Sequence, residues 1–116
     1  MILQLILKYW EGLGYYSRAR NFHKSCQDLV RRSKNIPKGV KEFQKLKGVG
    51  PYIAAAVQSI AFNISVPVAD GNVNRVVSRV NIFKKHPLKN KDQILSYLYE
   101  LIDKKRPGDF NQAMMD

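Results

Sequence analysis

A chain of 116 residues is long enough for one compact domain and too short for two. An apolar fraction of 45% argues against intrinsic disorder, and twenty Lys and Arg against nine Asp and Glu give a net charge of +11. That balance favours a nucleic acid over a ribosomal role, a membrane-surface role or a merely solvated basic face, because each cation near a phosphate releases condensed counterions. The single cysteine, Cys26, excludes an internal disulfide and an all-cysteine metal site, and its apolar helical position reads as core. The opening Met1 to Lys8 is apolar but lacks a basic leader and a cleavage site, and no window approaches a membrane span. An intracellular, soluble protein with no membrane partner is expected.

In chain order the sequence predicts short helices punctuated by Gly and Pro. Ile2 to Trp10 forms the first and ends before Gly12-Leu-Gly14. The second runs from about Tyr16 to Arg32, with Ala19, Phe22, Cys26, Leu29 and Val30 on one face. Asn35-Ile-Pro37-Lys-Gly39 breaks it, and Val40 to Leu46 makes a third that Gly48-Val-Gly50 terminates. Pro51 suits a first helical position, and the helix it opens carries Ile53, Ala56, Val57, Ile60 and Ala61 as a stripe, with small residues that let another helix approach. A loop through Val66 to Gly71 leads to a helix with Val73, Val76, Val77 and Val80 inward. Lys84 to Lys91 is a basic connection, Ile94, Leu95, Leu98, Leu101 and Ile102 mark the next helix, and Pro107-Gly108 stops it. Asp109 caps a last helix carrying Phe110, Ala113 and Met114. The architecture is all-α, one domain over residues 1–116.

Three clusters bear on chemistry. Leu46-Lys-Gly48-Val-Gly50-Pro51-Tyr52, between two helices, makes a helix–hairpin–helix over about residues 40–62; N–H groups at the start of its second helix point outward, ready for a phosphate oxygen, and Lys47, Gly48, Val49 and Gly50 are candidate DNA-binding residues. Such a motif grips backbone without reading sequence, although a lone Gly-x-Gly is better explained as an ordinary interhelical turn. In Gly12-Leu-Gly14-Tyr15-Tyr16-Ser17-Arg18-Ala-Arg20-Asn21, adjacent aromatics before two arginines suit a base-stacking wedge with phosphate clamps, or two core tyrosines with solvated arginines. In Val68-Ala69-Asp70-Gly71-Asn72-Val73, Asp70 and Asn72 read first as helix caps. A carboxylate at a helix start can also oppose a positive charge growing on a sugar during glycosidic cleavage.

Taken together, Gly12 to Asn21, Gly48 to Tyr52, Asp70 to Val73 and Asn111-Gln-Ala-Met-Met-Asp116 closely resemble the adenine DNA glycosylases of the helix–hairpin–helix superfamily, in matching order and spacing. The resemblance implies a monofunctional N-glycosylase that extrudes adenine mispaired with 8-oxoguanine or guanine from double-stranded DNA and hydrolyses its glycosidic bond. By the same resemblance Asp70 is the catalytic aspartate, Asn72 positions the reacting nucleotide, and Tyr52 matches an active-site tyrosine. Tyr15 wedges into the duplex with Tyr16, Arg18 and Arg20 beside it. Endonuclease III-like enzymes carry a Schiff-base lysine where Tyr52 stands, and a phenol cannot form that imine.

The resemblance also implies a glutamate supplied before Met1 to protonate the departing base; neither Glu11 nor Glu42 lies in the right motif context. It implies four cysteines beyond Asp116 that ligate a 4Fe-4S cluster, so no cofactor is expected in this chain beyond a monovalent cation at the hairpin. The chain is therefore expected to be truncated at both ends, monomeric, and marginally stable, binding DNA more readily than it releases adenine. A bacterial parent would place it in the cytoplasm at the nucleoid. The competing reading is a non-catalytic helix–hairpin–helix module that only binds duplex DNA.

Overall fold

The protein is described by a computed structural model over residues 2–32, 35–81 and 90–116. Among these residues every regular element is helical: α1 Ile2–Tyr9, α2 Tyr16–Arg32, α3 Val40–Phe43, α4 Pro51–Phe62, α5 Gly71–Val80, α6 Lys91–Leu101 and α7 Pro107–Met115. The all-α expectation holds. They fall into two compact units, Met1–Gly50 and Pro51–Asp116, so the chain passes from one to the other within the helix–hairpin–helix read from sequence. The predicted basic connection at 84–89 lies outside the described residues.

In the first unit α1 packs along α2. Apolar residues crowd α1, yet none is fully buried; Leu3, Ile6 and Leu7 are half-covered while Ile2 and Leu5 stay exposed. The helix closes through tightened turns at Glu11 and Leu13, and the Trp10 indole N–H donates to the Gly14 carbonyl at 2.9 Å.

The buried face of α2 differs from the expected one. Ala19 and Ser25 are buried and Leu29 is half-buried, whereas Phe22, Cys26 and Val30 face solvent, so Cys26 is not a core residue. A polar contact sets this rotation: the Ser25 hydroxyl donates to the Lys47 carbonyl at 3.0 Å, and Asn21, one turn earlier, lies against Gly48. Helix α3 is a single turn rather than the run to Leu46. After Phe43 the bonds shorten to i→i+3, from Lys45 N–H to Glu42 and from Leu46 N–H to Phe43, which winds the chain tightly into the hairpin.

In the second unit α4 and α7 pair closely, and α5 packs on both α6 and α7. The helix α4 starts at Pro51, as expected for a residue whose missing N–H has no partner there. Its buried positions are Ala54, Ala55, Gln58 and Ser59, with Ile60 and Ala61 outward, rotated from the predicted stripe. The reason is distance: Gly108 of α7 sits so near α4 that a Cβ there would stand 2.8 Å from the Ile60 Cα and from the Ser59 carbonyl oxygen. Only small side chains fit such a seam. The small-residue expectation for α4 is thus met on a neighbouring face.

Val73, Val77, Ile94 and Leu98 form the core of this unit, with Ala69, Tyr97 and Met114 against it. Leu95 and Leu101 of α6 are exposed, and so are Val76 and Val80 of α5, which are expected inward from the sequence. Their places on the buried side of α5 go to Asn74 and Ser78. Pro107-Gly108 opens α7 rather than stopping α6, which has already ended at Leu101. Asp103 organises the intervening turn by accepting from the N–H groups of Lys105 (2.9 Å) and Arg106 (3.0 Å), and these bonds hold its carboxyl below the usual range. Asp109 does not cap α7; it lies in the first turn and takes the Arg106 guanidinium at 2.7 Å.

Candidate nucleic-acid interface and catalytic carboxylate

The first unit carries every residue assigned to DNA contact. The turn into α2 is unusual: Tyr15 adopts φ +46, a left-handed conformation that costs a non-glycine residue about 1–2 kcal/mol. Its carbonyl accepts the Arg18 N–H at 2.9 Å and so starts the helix, while its ring projects outward, 79% exposed. The Arg18 guanidinium lies 5.7 Å from the ring centroid, within cation–π range. Tyr16, Arg18 and Arg20 are also exposed. Of the two alternatives for this cluster, the core-packing one fails for Tyr15, whose ring stands in solvent.

The hairpin is braced by α2. Gly48 takes φ +78, and a Cβ at this position would meet the Asn21 side chain at 2.6–2.9 Å. Sequence reasoning assigned Asn21 no role beyond membership of the motif and missed Ser25 altogether. Gly50 differs from Gly48: nothing lies within 4 Å of a Cβ built there, so its lack of a side chain leaves space open outside the loop. The three loop amides are not equivalent. Val49 N–H is already committed to the Leu46 carbonyl at 3.2 Å, which corrects the expectation that it is available to a phosphate, while Gly48 and Gly50 N–H donate to no group among the described residues. We expect Gly48→Ala to destabilise the first unit by about 2–4 kcal/mol, combining the left-handed backbone penalty with crowding against Asn21. Thermal unfolding followed by circular dichroism measures this, and an unchanged midpoint would contradict the role given to Asn21.

The second unit carries the candidate catalytic residues. Asp70 is the N-cap of α5: its Oδ1 accepts the Val73 N–H at 2.8 Å, and its carbonyl accepts the Asn74 N–H at 2.9 Å. The cap reading is therefore correct for Asp70 but not for Asn72, which lies inside α5, and at Asp70 it occupies one carboxylate oxygen only. Oδ2 makes no hydrogen bond among the described residues, and the side chain is half-exposed rather than packed inward. Asn72 is exposed in the first turn of α5, and Tyr52 is exposed in the first turn of α4 with its hydroxyl unbonded among the described residues.

No cluster of three or more His, Cys, Asp or Glu among the described residues could hold a metal ion. With Cys26 as its one cysteine, the chain does not fit a four-cysteine cluster. At the hairpin, the Leu46 and Lys47 carbonyls already accept bonds from Val49 N–H and the Ser25 hydroxyl, so a cation there would share engaged oxygens.

A family model described as HhH-GPD superfamily base excision DNA repair protein matches residues 3–104. The chain belongs to that superfamily. It is similar to the adenine DNA glycosylases of Arabidopsis thaliana (41% identical, 92% of this chain and 17% of the relative), Schizosaccharomyces pombe (41%, 96% and 25%) and Homo sapiens (39%, 98% and 22%). It thus spans a quarter or less of the length of these relatives. Among solved structures it resembles a trapped endonuclease III–DNA covalent intermediate, at TM-score 0.77 and 26% identity over 97% of this chain and 53% of that one. No helix among the described residues is long and apolar enough to cross a membrane.

Proposed function

We propose that this superfamily member acts in adenine excision, contributing the DNA-gripping hairpin and the sugar-side carboxylate of a monofunctional adenine DNA glycosylase. Its substrate is double-stranded DNA with adenine opposite 8-oxoguanine or guanine. The reading rests on one observation above all: Asp70 spends Oδ1 on the α5 cap and keeps Oδ2 unbonded at a half-exposed position. The cap fixes the carboxylate's direction without consuming its charge. As the bond between deoxyribose and adenine lengthens, positive charge grows on the sugar, and a fixed anion stabilises that state more than the neutral ground state. Oδ2 either screens the cation until water attacks or bonds to the anomeric carbon before hydrolysis.

Asn72, in the first turn of the same helix, orients the nucleotide. In the first unit Tyr15 wedges into the duplex beside 8-oxoguanine, and Gly48 and Gly50 N–H groups with Lys47 hold phosphate. Protonation of the departing adenine is assigned to no residue of this chain. Tyr52 supports hydrolysis over lyase chemistry, since a phenol carries no amine to condense with the opened sugar.

The test replaces the matching stretch of the Schizosaccharomyces pombe relative with this chain and follows adenine release from an 8-oxoguanine·A duplex under single-turnover conditions. Release is expected, without borohydride-trapped adduct on abasic DNA. Duplex binding with no release would favour a non-catalytic DNA-binding module.

A further inference from the structure

Between α4 and α5 the chain runs through residues 63–70 without helix or strand, yet it must deliver Asp70 in one orientation. Such a segment has few backbone partners of its own, and buried peptide groups without partners are costly. Here the missing partner is one side chain. Asn111 of α7, fully buried, accepts the Val68 N–H with Oδ1 at 3.0 Å and donates through Nδ2 to the Val66 carbonyl at 2.8 Å. Its second Nδ2 proton goes to the Ser59 hydroxyl at 2.9 Å, and that hydroxyl donates in turn to the Ala56 carbonyl at 3.1 Å. The primary amide thus reproduces what a neighbouring strand would offer, one acceptor and one donor, on either side of Pro67.

Every hydrogen-bonding position of Asn111 except one lone pair is used, so the amide cannot rotate without breaking the set. Val68 is itself buried, and Asp70 follows two residues later, where the α5 cap takes over. Gly108, one turn before Asn111 on the same helix, brings α7 near enough to α4 for the Ser59 bond. An apolar residue of equal volume would fill the space and leave the Val68 N–H and the Val66 carbonyl stranded.

We infer that Asn111 is a positioning residue for Asp70: its amide clamps Val66 and Val68 and thereby sets where the carboxylate stands. The inference rests on the reading of Asp70 as the catalytic carboxylate, but its first test needs no DNA. Native-state amide exchange of the chain reports the clamp at Val68 N–H and the carboxylate at Val73 N–H, which Asp70 Oδ1 holds.

In Asn111→Ala both amides are expected to exchange about tenfold faster or more, while Ile102 N–H, bonded to the Leu98 carbonyl, keeps its protection. Ser59→Ala removes one bond from the clamp without a large cavity and is expected to speed the same two amides by about threefold. An equal rise at Val68, Val73 and Ile102 would mean general loosening and overturn the inference, as would a Val73 amide indifferent to both variants. In the S. pombe chimera, Asn111→Ala is expected to slow adenine release at least about tenfold with duplex affinity retained. Localised exchange effects in a chimera that releases no adenine would leave the clamp standing and sink the catalytic reading. Release that depends on Asp70 but not on Asn111 would do the reverse.

Discussion

Asp70→Asn in the chimera is expected to cut single-turnover adenine release by about 100- to 1,000-fold, because removing one group aimed at developing charge costs about 3–4 kcal/mol of transition-state stabilisation. A covalent role for Oδ2 would make the loss larger. The structure separates this effect from stability. Asn is as good an N-cap as Asp, and its side-chain oxygen can still accept the Val73 N–H, so the unfolding midpoint should hardly move. Asp70→Ala gives a second reading of the same position: release falls as far, and stability now drops by about 1 kcal/mol because the cap is lost. A fall in release matched by a fall in folded protein would assign Asp70 to structure alone. Chemical denaturation alongside the kinetics distinguishes these outcomes.

Gly108→Ala is expected to be the most destabilising single-methyl change in the second unit. The added carbon would lie 2.8 Å from two backbone atoms, the Ile60 Cα and the Ser59 carbonyl oxygen, and no rotamer change relieves a clash with backbone. Alanine's better helix propensity returns about 1 kcal/mol, whereas overpacking costs about 1–3 kcal/mol and more when rigid elements must part. Separation of α7 from α4 also stretches the Asn111 bonds to Ser59 and Val66, at about 1–3 kcal/mol for each buried group left without a partner. Together these give a loss of about 2–8 kcal/mol, read from urea unfolding. A change below about 1 kcal/mol would show that the seam relaxes freely. Because the Asp70 loop hangs on the same seam, the Val73 amide should lose protection even where the variant remains folded.

Helix existence was legible in the sequence because Gly and Pro punctuate the chain, and because a proline before an apolar run marks a first helical turn, as at Pro51. Helix rotation was not. Periodicity turned Phe22, Cys26 and Val30 inward on α2, but Ser25 and Asn21 face the hairpin, since a hydroxyl and an amide serve its carbonyl and its glycine better than apolar groups do. On α4 the apolar stripe gave way to Ala54, Ala55, Gln58 and Ser59 for want of room beside Gly108.

The candidate site was legible in part. Motif order picked out Asp70, Tyr15 and the Gly48 loop, and local pattern anticipated the cap at Asp70. Three features needed coordinates: the commitment of Val49 N–H to Leu46, the left-handed backbone at Tyr15, and the reach of Asn111 across more than forty residues to Val66 and Val68. Each depends on groups distant in sequence or on dihedral angles that residue types do not announce.

The claim that the carboxylate faces a cationic sugar is tested most directly by binding. Two duplexes are compared, one carrying a neutral tetrahydrofuran abasic site and one carrying a pyrrolidine analogue that is positively charged at neutral pH. The protein is expected to prefer the charged analogue by about 100-fold at fixed salt, with Asp70→Asn abolishing the preference while the neutral site binds as before. Equal affinity for the two sites, or a preference that survives in Asp70→Asn, would contradict the claim.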